Sequence, residues 1–276
     1  MEPLFSVVIP TYNRARLVCE AIDSVLMQEV GPIQIVVIDD GSTDETQSAI
    51  ARYSSQIECI RQENCGPAAA KNAGIRSATG EFVSFLDSDD VWLPGKLRAD
   101  LDLFRELPWA DVAVSDCETW LEGKLVSQSW LRQRGLKLGS ARYRRLSELP
   151  ALWAETRLAA TCCISLRRTA LEQLGHAPFD ESLQAYEDWD FDIRMYLRLN
   201  AIVRPNVTAR VRRYDDGTRK GRLLPGTHPN PWMDTVGKLY QRRVLDRALT
   251  MPGLPVEVTE RMEALVTALT AKRTEA

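Results

Sequence analysis

The sequence predicts an α/β protein with a mostly parallel central sheet, flanking helices and a helical C-terminal extension. Short apolar runs alternate with amphipathic segments through the first 115 residues, which is typical of parallel strands joined by helical crossovers. Glycine, proline and aspartate residues separate these segments. With 276 residues, the chain can bury one large core and carry a C-terminal appendage.

Five apolar runs predict the strands of the N-terminal half. Most are short, rich in β-branched or aromatic residues and bounded by turn residues, as expected of strands buried on both faces. The runs occupy residues 5–10, 33–38, 57–61, 82–86 and 112–115. Apolar residues at helical spacing predict helices at 15–28, from Thr43 or Asp44 towards Tyr53, at 68–77 and at 94–107.

The second half of the chain is less periodic. Residues 117–150 contain Trp120, Trp130 and several arginines without a clear period. A buried strand is predicted at 161–166, a helix at 187–199 and a long loop at 214–230, which is rich in glycine, proline and charge. Helices are expected at 232–249 and 256–272, and the apolar spacing of the last one favours packing against the rest of the chain over a coiled-coil dimer.

Composition and charge exclude several classes of protein. A net charge of −3 provides no overall field that would recruit nucleic acid or an anionic membrane. No segment approaches the roughly 18 apolar residues of a membrane span, and the N-terminus lacks the features of a signal peptide. Six cysteines form no Cys-x-x-Cys pair, which favours reduced thiols. We therefore expect a cytoplasmic protein, with peripheral contact to a membrane left open.

Polar residues follow three of the predicted strands, at 11–14, 39–40 and 87–90. Ligands of open α/β sheets bind beyond the carboxyl ends of the strands. Crowded carboxylates repel each other unless a cation joins them, and a hard divalent ion is the usual solution. Asp87 and Asp89 share a face, so one can hold a metal while the other meets a substrate hydroxyl. The acidic cluster at 39–40 or the one at 87–90, taken alone, would be typical of a loop or helix cap. The two clusters together, both at strand ends, indicate a ligand site.

Four segments together resemble family-two glycosyltransferases, which are inverting enzymes of the GT-A fold. They are SVVIPTYNR at 6–14, VIDDGSTD at 37–44, KNAG at 71–74 and FLDSDD at 85–90. The likeness is dense over residues 4–115 and resumes in YEDWD at 186–190. It implies transfer of a sugar from a nucleotide diphosphate donor, with Mg²⁺ or Mn²⁺ as the cofactor.

The resemblance also implies a donor-binding set: Pro10, Thr11, Tyr12, Arg14, Asp39, Asp40, Lys71, Asp87 and Ser88. The Tyr12 ring would pack on the base, and Asp40 would accept a base N–H, which suits a UDP- or dTDP-sugar. Lys71 stands where the family more often has arginine, near the base or ribose. Asp87 would meet the ribose or the donor sugar.

The same resemblance assigns the metal and the catalytic base. Asp89 would ligate the metal that bridges the diphosphate, and Asp90 would support it. His228 is either a third ligand or an ordinary solvated loop histidine. Asp188 would be the general base, with Glu187 as the alternative, because an acceptor hydroxyl must lose its proton as it attacks the anomeric carbon. The helix dipole alone also favours acidic residues in a first helical turn.

These assignments divide the chain into a nucleotide-sugar-binding half at 1–115, an acceptor and catalytic half at 116–231, and a C-terminal helical extension at 232–276. The expected partners are the nucleotide-sugar donor and a glycan, lipid-linked or small-molecule acceptor, but no nucleic acid. A basic run could bind the diphosphate or an anionic acceptor, or could simply be solvated. It comprises Arg210, Arg212, Arg213, Arg219, Lys220 and Arg222.

Two other functions fit parts of the sequence less well. A sugar-phosphate nucleotidyltransferase needs a glycine-rich loop after its first strand, where this chain has PTYNR. A non-catalytic nucleotide-binding module would need no general base, so the presence of both Asp89 and Asp188 argues against it.

Overall fold

A mixed sheet lies at the centre of the computed structural model, which describes residues 2–137, 141–154, 157–214 and 237–271. The predicted loop at 214–230, apart from Tyr214, and with it His228, lies outside the described residues. In chain order the strands are β1 (Phe5–Thr11), β2 (Ile33–Asp39), β3 (Glu58–Arg61), β4 (Phe82–Phe85), β5 (Val91–Trp92), β6 (Val112–Leu121), β7 (Lys124–Ser127), β8 (Arg144–Arg145), β9 (Ile164–Arg167) and β10 (Ala201–Arg213).

Helices pack around this sheet. In chain order they are α1 (Ala15–Leu26), α2 (Thr46–Ala51), α3 (Pro67–Ser77), α4 (Lys96–Glu106), α5 (Trp130–Gln133), α6 (Pro150–Trp153), α7 (Arg168–Leu171), α8 (Glu187–Arg198), α9 (Lys238–Leu249) and α10 (Val256–Ala271). The described strands are ordered β3-β2-β1-β4-β9-β6-β10-β5, with β7 beside β6 and β8 beside β10. The predicted α/β fold with flanking helices is confirmed.

The four strands at one side of the sheet are parallel, so their carboxyl ends meet at one edge. β1 lies between β2 and β4 and pairs in parallel with both, while β3 extends the sheet beyond β2. β9 lies between β4 and β6 and is antiparallel to both. β6 and β10 are parallel to each other and therefore run in the same direction as β4. The three polar segments predicted at strand ends therefore share an edge.

Close packing of α3 on β1 helps to position that edge. Phe5, Val7, Val8 and Ile9 of β1 are fully buried, which accounts for the apolar character of its sequence. Gly74 of α3 lies so near β1 that an added Cβ would stand 2.2 Å from Val8 Cγ1. The glycine and the neighbouring alanines allow this approach, and Pro67 begins the helix at the edge of the sheet.

β6 is longer than its apolar run predicts, because it continues from 115 to Leu121. β10 accompanies it over this extension, as far as the pair Arg213–Leu121. The two acidic residues that interrupt the apolar pattern of this strand have partners: Asp116 accepts the Leu131 N–H at 3.0 Å, and Glu118 pairs with Arg210 at 2.6 Å. Satisfied polar groups are compatible with a central strand, although they remove its apolar pattern.

A buried ionic network fastens α4 to β9 and β10. The Lys96 ammonium and the Arg204 guanidinium both pair with the fully buried Asp100 carboxylate. Lys96 Nζ also donates to Ser165 Oγ at 2.6 Å, and Ser165 Oγ in turn contacts Ser84 Oγ at 2.6 Å. Lys96 lies 5.0 Å from the centre of the Trp92 ring, so the residues that follow the Asp-Ser-Asp segment form part of the structural core.

The last two helices pack against the rest of the chain. Val258 and Met262 of α10 are fully buried, and α10 contacts α6 and α9, as the apolar spacing predicts. Arg247 of α9 pairs with Asp180 at 2.7 Å and with Asp190 at 3.4 Å. Within the described ranges, no helix has the length and apolar character needed to cross a membrane.

We predict that Asp100→Ala destabilises the protein by about 3–5 kcal/mol, because it leaves two buried cations without their carboxylate. Asp102→Ala is the matched control, since Asp102 lies on the same helix but is exposed. Urea denaturation of both variants measures the difference. Equal free energies of unfolding for the two variants would contradict a structural role for the network.

Candidate active site

An open cleft of about 830 Å³ lies at the carboxyl ends of β1, β2 and β4. The turn after each strand contributes to its wall, and the start of α8 closes the opposite side. Among the residues assigned from the sequence, the following line the cleft: Pro10, Thr11, Tyr12, Arg14, Asp40, Asp87, Ser88, Asp89, Glu187 and Asp188. Asp39 and Lys71 are not part of this lining.

The turns that follow β1 and β2 are bound to each other. Asn13 adopts a left-handed conformation with φ 51°, and its side-chain oxygen accepts the Thr43 N–H at 2.8 Å. The Asn13 N–H donates to Ser42 Oγ at 2.9 Å. These bonds hold Tyr12 at the cleft wall, where its side chain is 45% exposed. The ring is therefore available to a ligand.

Asp39 and Asp40 have different surroundings. Asp39 is fully buried, accepts the Ser42 N–H at 2.9 Å and lies 3.8 Å from Arg61 Nε. Asp40 reaches the cleft wall and accepts hydrogen bonds from Gln62 Nε2 at 2.7 Å, the Cys65 N–H at 3.0 Å and the Gly66 N–H at 2.8 Å. Of the roughly four acceptor positions of a carboxylate, one remains for a ligand.

These contacts give Asp40 a structural role that the sequence does not reveal. It holds residues 62–66, the segment that leads into α3, against the end of β2. A carboxylate fixed by three donors is well oriented towards any further N–H donor that enters the cleft.

Three residues of the Asp87–Asp90 segment line the cleft, and the fourth is buried. Asp87, Ser88 and Asp89 line the cleft. Asp90 is buried and accepts the Arg212 N–H at 2.9 Å, while the Asp89 carbonyl oxygen accepts from Arg212 Nε at 2.6 Å. The segment is therefore bound to the end of β10, which supports the position of the Asp89 side chain.

The described residues contain no group of three histidine, cysteine or carboxylate side chains that could hold a metal by themselves. Asp87 and Asp89 nevertheless supply hard oxygen donors to one cleft. Mg²⁺ is commonly held by one or two carboxylates together with substrate phosphates. This donor set fits a divalent ion that arrives with a nucleotide diphosphate.

Lys71 is buried behind the cleft wall. Its ammonium lies 3.5 Å from Glu187 Oε1, 3.9 Å from Asp87 Oδ1 and 5.1 Å from the centre of the Phe179 ring. Burial alone would lower the pKa of Lys71, but the carboxylates of Asp87 and Glu187 outweigh burial and raise it. Lys71 is thus a charged link between α3, the end of β4 and the start of α8.

The pKa values of the two acidic residues at the start of α8 are shifted in opposite directions. Burial and the neighbouring Asp188 raise the pKa of Glu187. Burial also acts to raise the pKa of Asp188, but Arg157, and then Lys71, outweigh it and lower the pKa. Asp188 forms an ion pair with Arg157 and accepts the Trp189 N–H at 2.7 Å. Asp188 is therefore the member of the pair that ionises first.

Arg157 also approaches a second carboxylate of α8. Its Nε lies 3.8 Å from Asp192 Oδ2, and another of its N–H groups donates to Thr161 Oγ1. Burial raises the pKa of Asp192 well above its ordinary value, and Arg157 opposes this shift. The guanidinium therefore lies between two carboxylates one helical turn apart.

Sequence reasoning missed Arg134 and Arg157, which line the cleft together with Arg213. Arg134 Nε donates to the Arg157 carbonyl oxygen at 2.6 Å, and its guanidinium lies 3.7 Å from the centre of the Trp130 ring. Arg213 lies 5.4 Å from the same ring. For Arg134, the signal available in the sequence was the tryptophan and arginine residues of the aperiodic stretch 117–150, whereas Arg157 lies outside that stretch.

The other described residues of the basic run have different partners. Arg210 pairs with Glu118 at 2.6 Å and lies 4.3 Å from the Trp120 ring. Arg212 pairs with Glu20. Alternation along β10 separates these side chains from Arg213, so Arg213 reaches the cleft while Arg210 does not. Arg219, Lys220 and Arg222 lie outside the described residues.

The chain matches a known protein family and several of its relatives. The profile described as Glycosyl transferase family 2 matches residues 6–175. An uncharacterized glycosyltransferase of Rickettsia prowazekii is 32% identical over 195 residues, which cover 71% of this chain and 59% of that protein. The putative teichuronic acid biosynthesis glycosyltransferase TuaG of Bacillus subtilis is 37% identical over 109 residues, which cover 38% of this chain and 43% of TuaG.

Solved structures of glycosyltransferases share the fold. S. aureus TarS in complex with UDP-GlcNAc superposes with a TM-score of 0.69 at 22% identity, covering 98% of this chain and 72% of that one. The mannosyltransferase PcManGT of Pyrobaculum calidifontis, in complex with GDP-Man and Mn²⁺, gives a TM-score of 0.64 at 21% identity over 96% of this chain and 70% of that one.

The chain spans about three fifths of the length of the R. prowazekii relative. The family match covers more than half of the chain and includes the strand-end segments that line the cleft. The chain therefore belongs to glycosyl transferase family 2 and has the GT-A fold.

Proposed function

We propose that this chain transfers a sugar from a UDP- or dTDP-sugar to an acceptor hydroxyl, with inversion at the anomeric carbon. The observation that carries the proposal is the convergence of three strand-end segments and the acidic pair of α8 on one cleft. Family 2 membership supports sugar transfer, and the UDP-GlcNAc complex of the structurally similar TarS supports a uridine donor.

The nucleoside would bind at the end of the cleft formed by the turns after β1 and β2. The exposed Tyr12 ring offers a stacking surface for a base. The remaining acceptor position of Asp40 would take a base N–H, which suits uracil or thymine. Asp87 would meet a hydroxyl of the ribose or the donor sugar. Lys71 would act through Asp87 and Glu187, its partners in the structure.

Asp89 is the residue that would hold Mg²⁺ or Mn²⁺, with Asp87 beside it. When bound, the metal would neutralise the charge that grows on the departing diphosphate. The Mn²⁺ complex of the mannosyltransferase from Pyrobaculum calidifontis supports this choice of ion. His228 stays a proposed additional ligand.

Asp188 would act as the general base. The acceptor oxygen forms a bond to the anomeric carbon while the bond from that carbon to the diphosphate oxygen breaks, and Asp188 takes the hydroxyl proton. One Asp188 oxygen faces Arg157 and the other accepts the Trp189 N–H. Each oxygen has a second acceptor position, so the carboxylate can still receive the acceptor proton. Attack opposite the leaving group inverts the anomeric centre.

The donor half of the proposal is tested by thermal unfolding with a panel of nucleoside diphosphates and their sugars, in Mn²⁺, Mg²⁺ or EDTA. A ligand at about 100 times its dissociation constant stabilises a protein by roughly 2.7 kcal/mol. We expect metal-dependent stabilisation by uridine or thymidine species. A folded protein that responds to no nucleotide would contradict the proposal.

The roles of Asp89 and Asp188 are separable. We predict that Asp188→Asn retains metal-dependent nucleotide binding but lowers the transfer rate by about 10²–10⁴-fold, because it removes the proton acceptor. Asp89→Asn should lose the metal dependence of nucleotide binding itself. Calorimetric titration with UDP and Mn²⁺, together with a transfer assay, measures both effects. A near-normal transfer rate in Asp188→Asn would remove this residue from the mechanism.

Arg157 should set the pH dependence of transfer. Its guanidinium lowers the pKa of Asp188, and the base must be ionised to accept a proton. Arg157→Gln should therefore raise that pKa and move the acidic limb of the kcat profile to higher pH. Arg210→Gln, which removes an arginine paired with Glu118 outside the cleft, should leave the limb in place. Identical limbs in both variants would exclude Arg157 as the source of the shift.

A further inference from the structure

We propose that Trp130, Arg134 and Arg213 form an anion subsite that binds a phosphate or carboxylate group of the acceptor. This subsite, called the Trp130 subsite below, rests on the proposed function of the cleft. All three residues line the cleft. The subsite deepens the proposed function because it restricts the acceptor to anionic molecules.

The Trp130 subsite presents two guanidinium groups around one indole ring. Arg134 lies 3.7 Å from the ring centre and Arg213 lies 5.4 Å from it. The Trp130 indole N–H donates to the Leu158 carbonyl oxygen at 2.9 Å, and Arg134 Nε donates to the Arg157 carbonyl oxygen at 2.6 Å. The ring and the Arg134 side chain are thus fixed. Planar guanidinium groups held in place suit two-point binding of phosphate or carboxylate.

β10 offers an internal comparison for this arrangement. Arg210 also lies over a tryptophan, 4.3 Å from the Trp120 ring, but its charge is paired with Glu118 at 2.6 Å. Arg134 forms no ion pair with any carboxylate in the part of the chain that the structure describes. Arg134 therefore carries positive charge that an incoming anion can neutralise.

The charge environment of Arg134 agrees with this assignment. Burial lowers the pKa of Arg134 to about 10, and the positive charges of Arg157 and Arg213 add to the effect. An anion bound between these groups would offset both the burial and the mutual repulsion of the cations.

Position assigns the anion to the acceptor rather than to the donor. Arg134 Nε donates a hydrogen bond to the backbone carbonyl of Arg157, and the Arg157 guanidinium is ion-paired with the proposed base Asp188. A general base must contact the acceptor hydroxyl, so the groups that adjoin it lie on the acceptor side. The donor diphosphate is assigned to the Asp87–Asp89 segment, on which the proposed metal would sit.

The test compares glucose 6-phosphate with glucose as probes, by calorimetric titration of the full chain saturated with UDP and Mn²⁺. Filling the donor site prevents the phosphate from binding there. We expect glucose 6-phosphate to bind at least about tenfold more tightly than glucose, as a charge-assisted hydrogen bond implies. Equal binding of the two sugars to the wild-type chain would overturn the proposal.

Three variants locate the site. Arg134→Gln and Arg213→Gln should each weaken glucose 6-phosphate by about tenfold, and Arg134→Lys should fall between the wild type and Arg134→Gln because it keeps the charge but loses the planar group. Arg210→Gln should change the affinity by no more than about twofold. An equal loss in Arg210→Gln would show a general effect of charge and would contradict the proposal.

UDP binding to the same variants separates the two sources of the anion. We expect UDP affinity to change by no more than about twofold in Arg134→Gln and Arg213→Gln. If UDP weakens as much as glucose 6-phosphate does, the arginines bind the donor diphosphate and the acceptor subsite is wrong. If the wild-type chain binds no nucleotide, the proposed function fails. Nucleotide binding without a preference for the phosphorylated sugar removes the subsite alone.

Discussion

A balance of charge among two cations and four carboxylates, all buried or half-buried, holds the α8 side of the cleft together. The cations are Lys71 and Arg157, and the carboxylates are Asp87, Glu187, Asp188 and Asp192. The members come from α3, the turn after β4, the segment before β9, and α8. Since isolated charges are costly to bury, removal of one cation would leave carboxylates uncompensated. The cleft wall and the core behind it are therefore one electrostatic unit.

The same balance shifts the pKa values of the two acidic residues of α8 in opposite directions. Burial and the like charge of Asp188 raise the pKa of Glu187, whereas the Arg157 guanidinium lowers the pKa of Asp188. Two adjacent acidic residues of one helix thus favour different protonation states, the arrangement by which a protein assigns acid and base roles. An ionised Asp188 and a Glu187 that retains its proton more readily also reduce the repulsion within the pair.

The side of the cleft formed by the turns after β1, β2 and β4 depends on hydrogen bonds rather than on ion pairs. Asp40 binds the backbone of the segment before α3, and Asp90 binds the end of β10. In each case the second aspartate of an Asp-Asp pair anchors a loop or a strand to the end of another strand. The first aspartates of the two pairs differ, since Asp89 lines the cleft while Asp39 is fully buried.

The sequence by itself determined the fold class, the strand-end segments and the position of the acidic pair on α8, because these features follow from local apolar patterns and from turns that immediately follow strands. Tertiary structure alone decided the partners of each charge. Lys71 and Glu187 are 116 residues apart in the chain, and Arg157 belongs to none of the predicted strands and helices. No local pattern therefore places Lys71 or Arg157 against α8. The extension of β6 likewise depends on β10, which pairs with it across the sheet. Charges and strand partners that are distant in sequence meet only when the chain folds, and this is why Arg134 and Arg157 were found only in the structure.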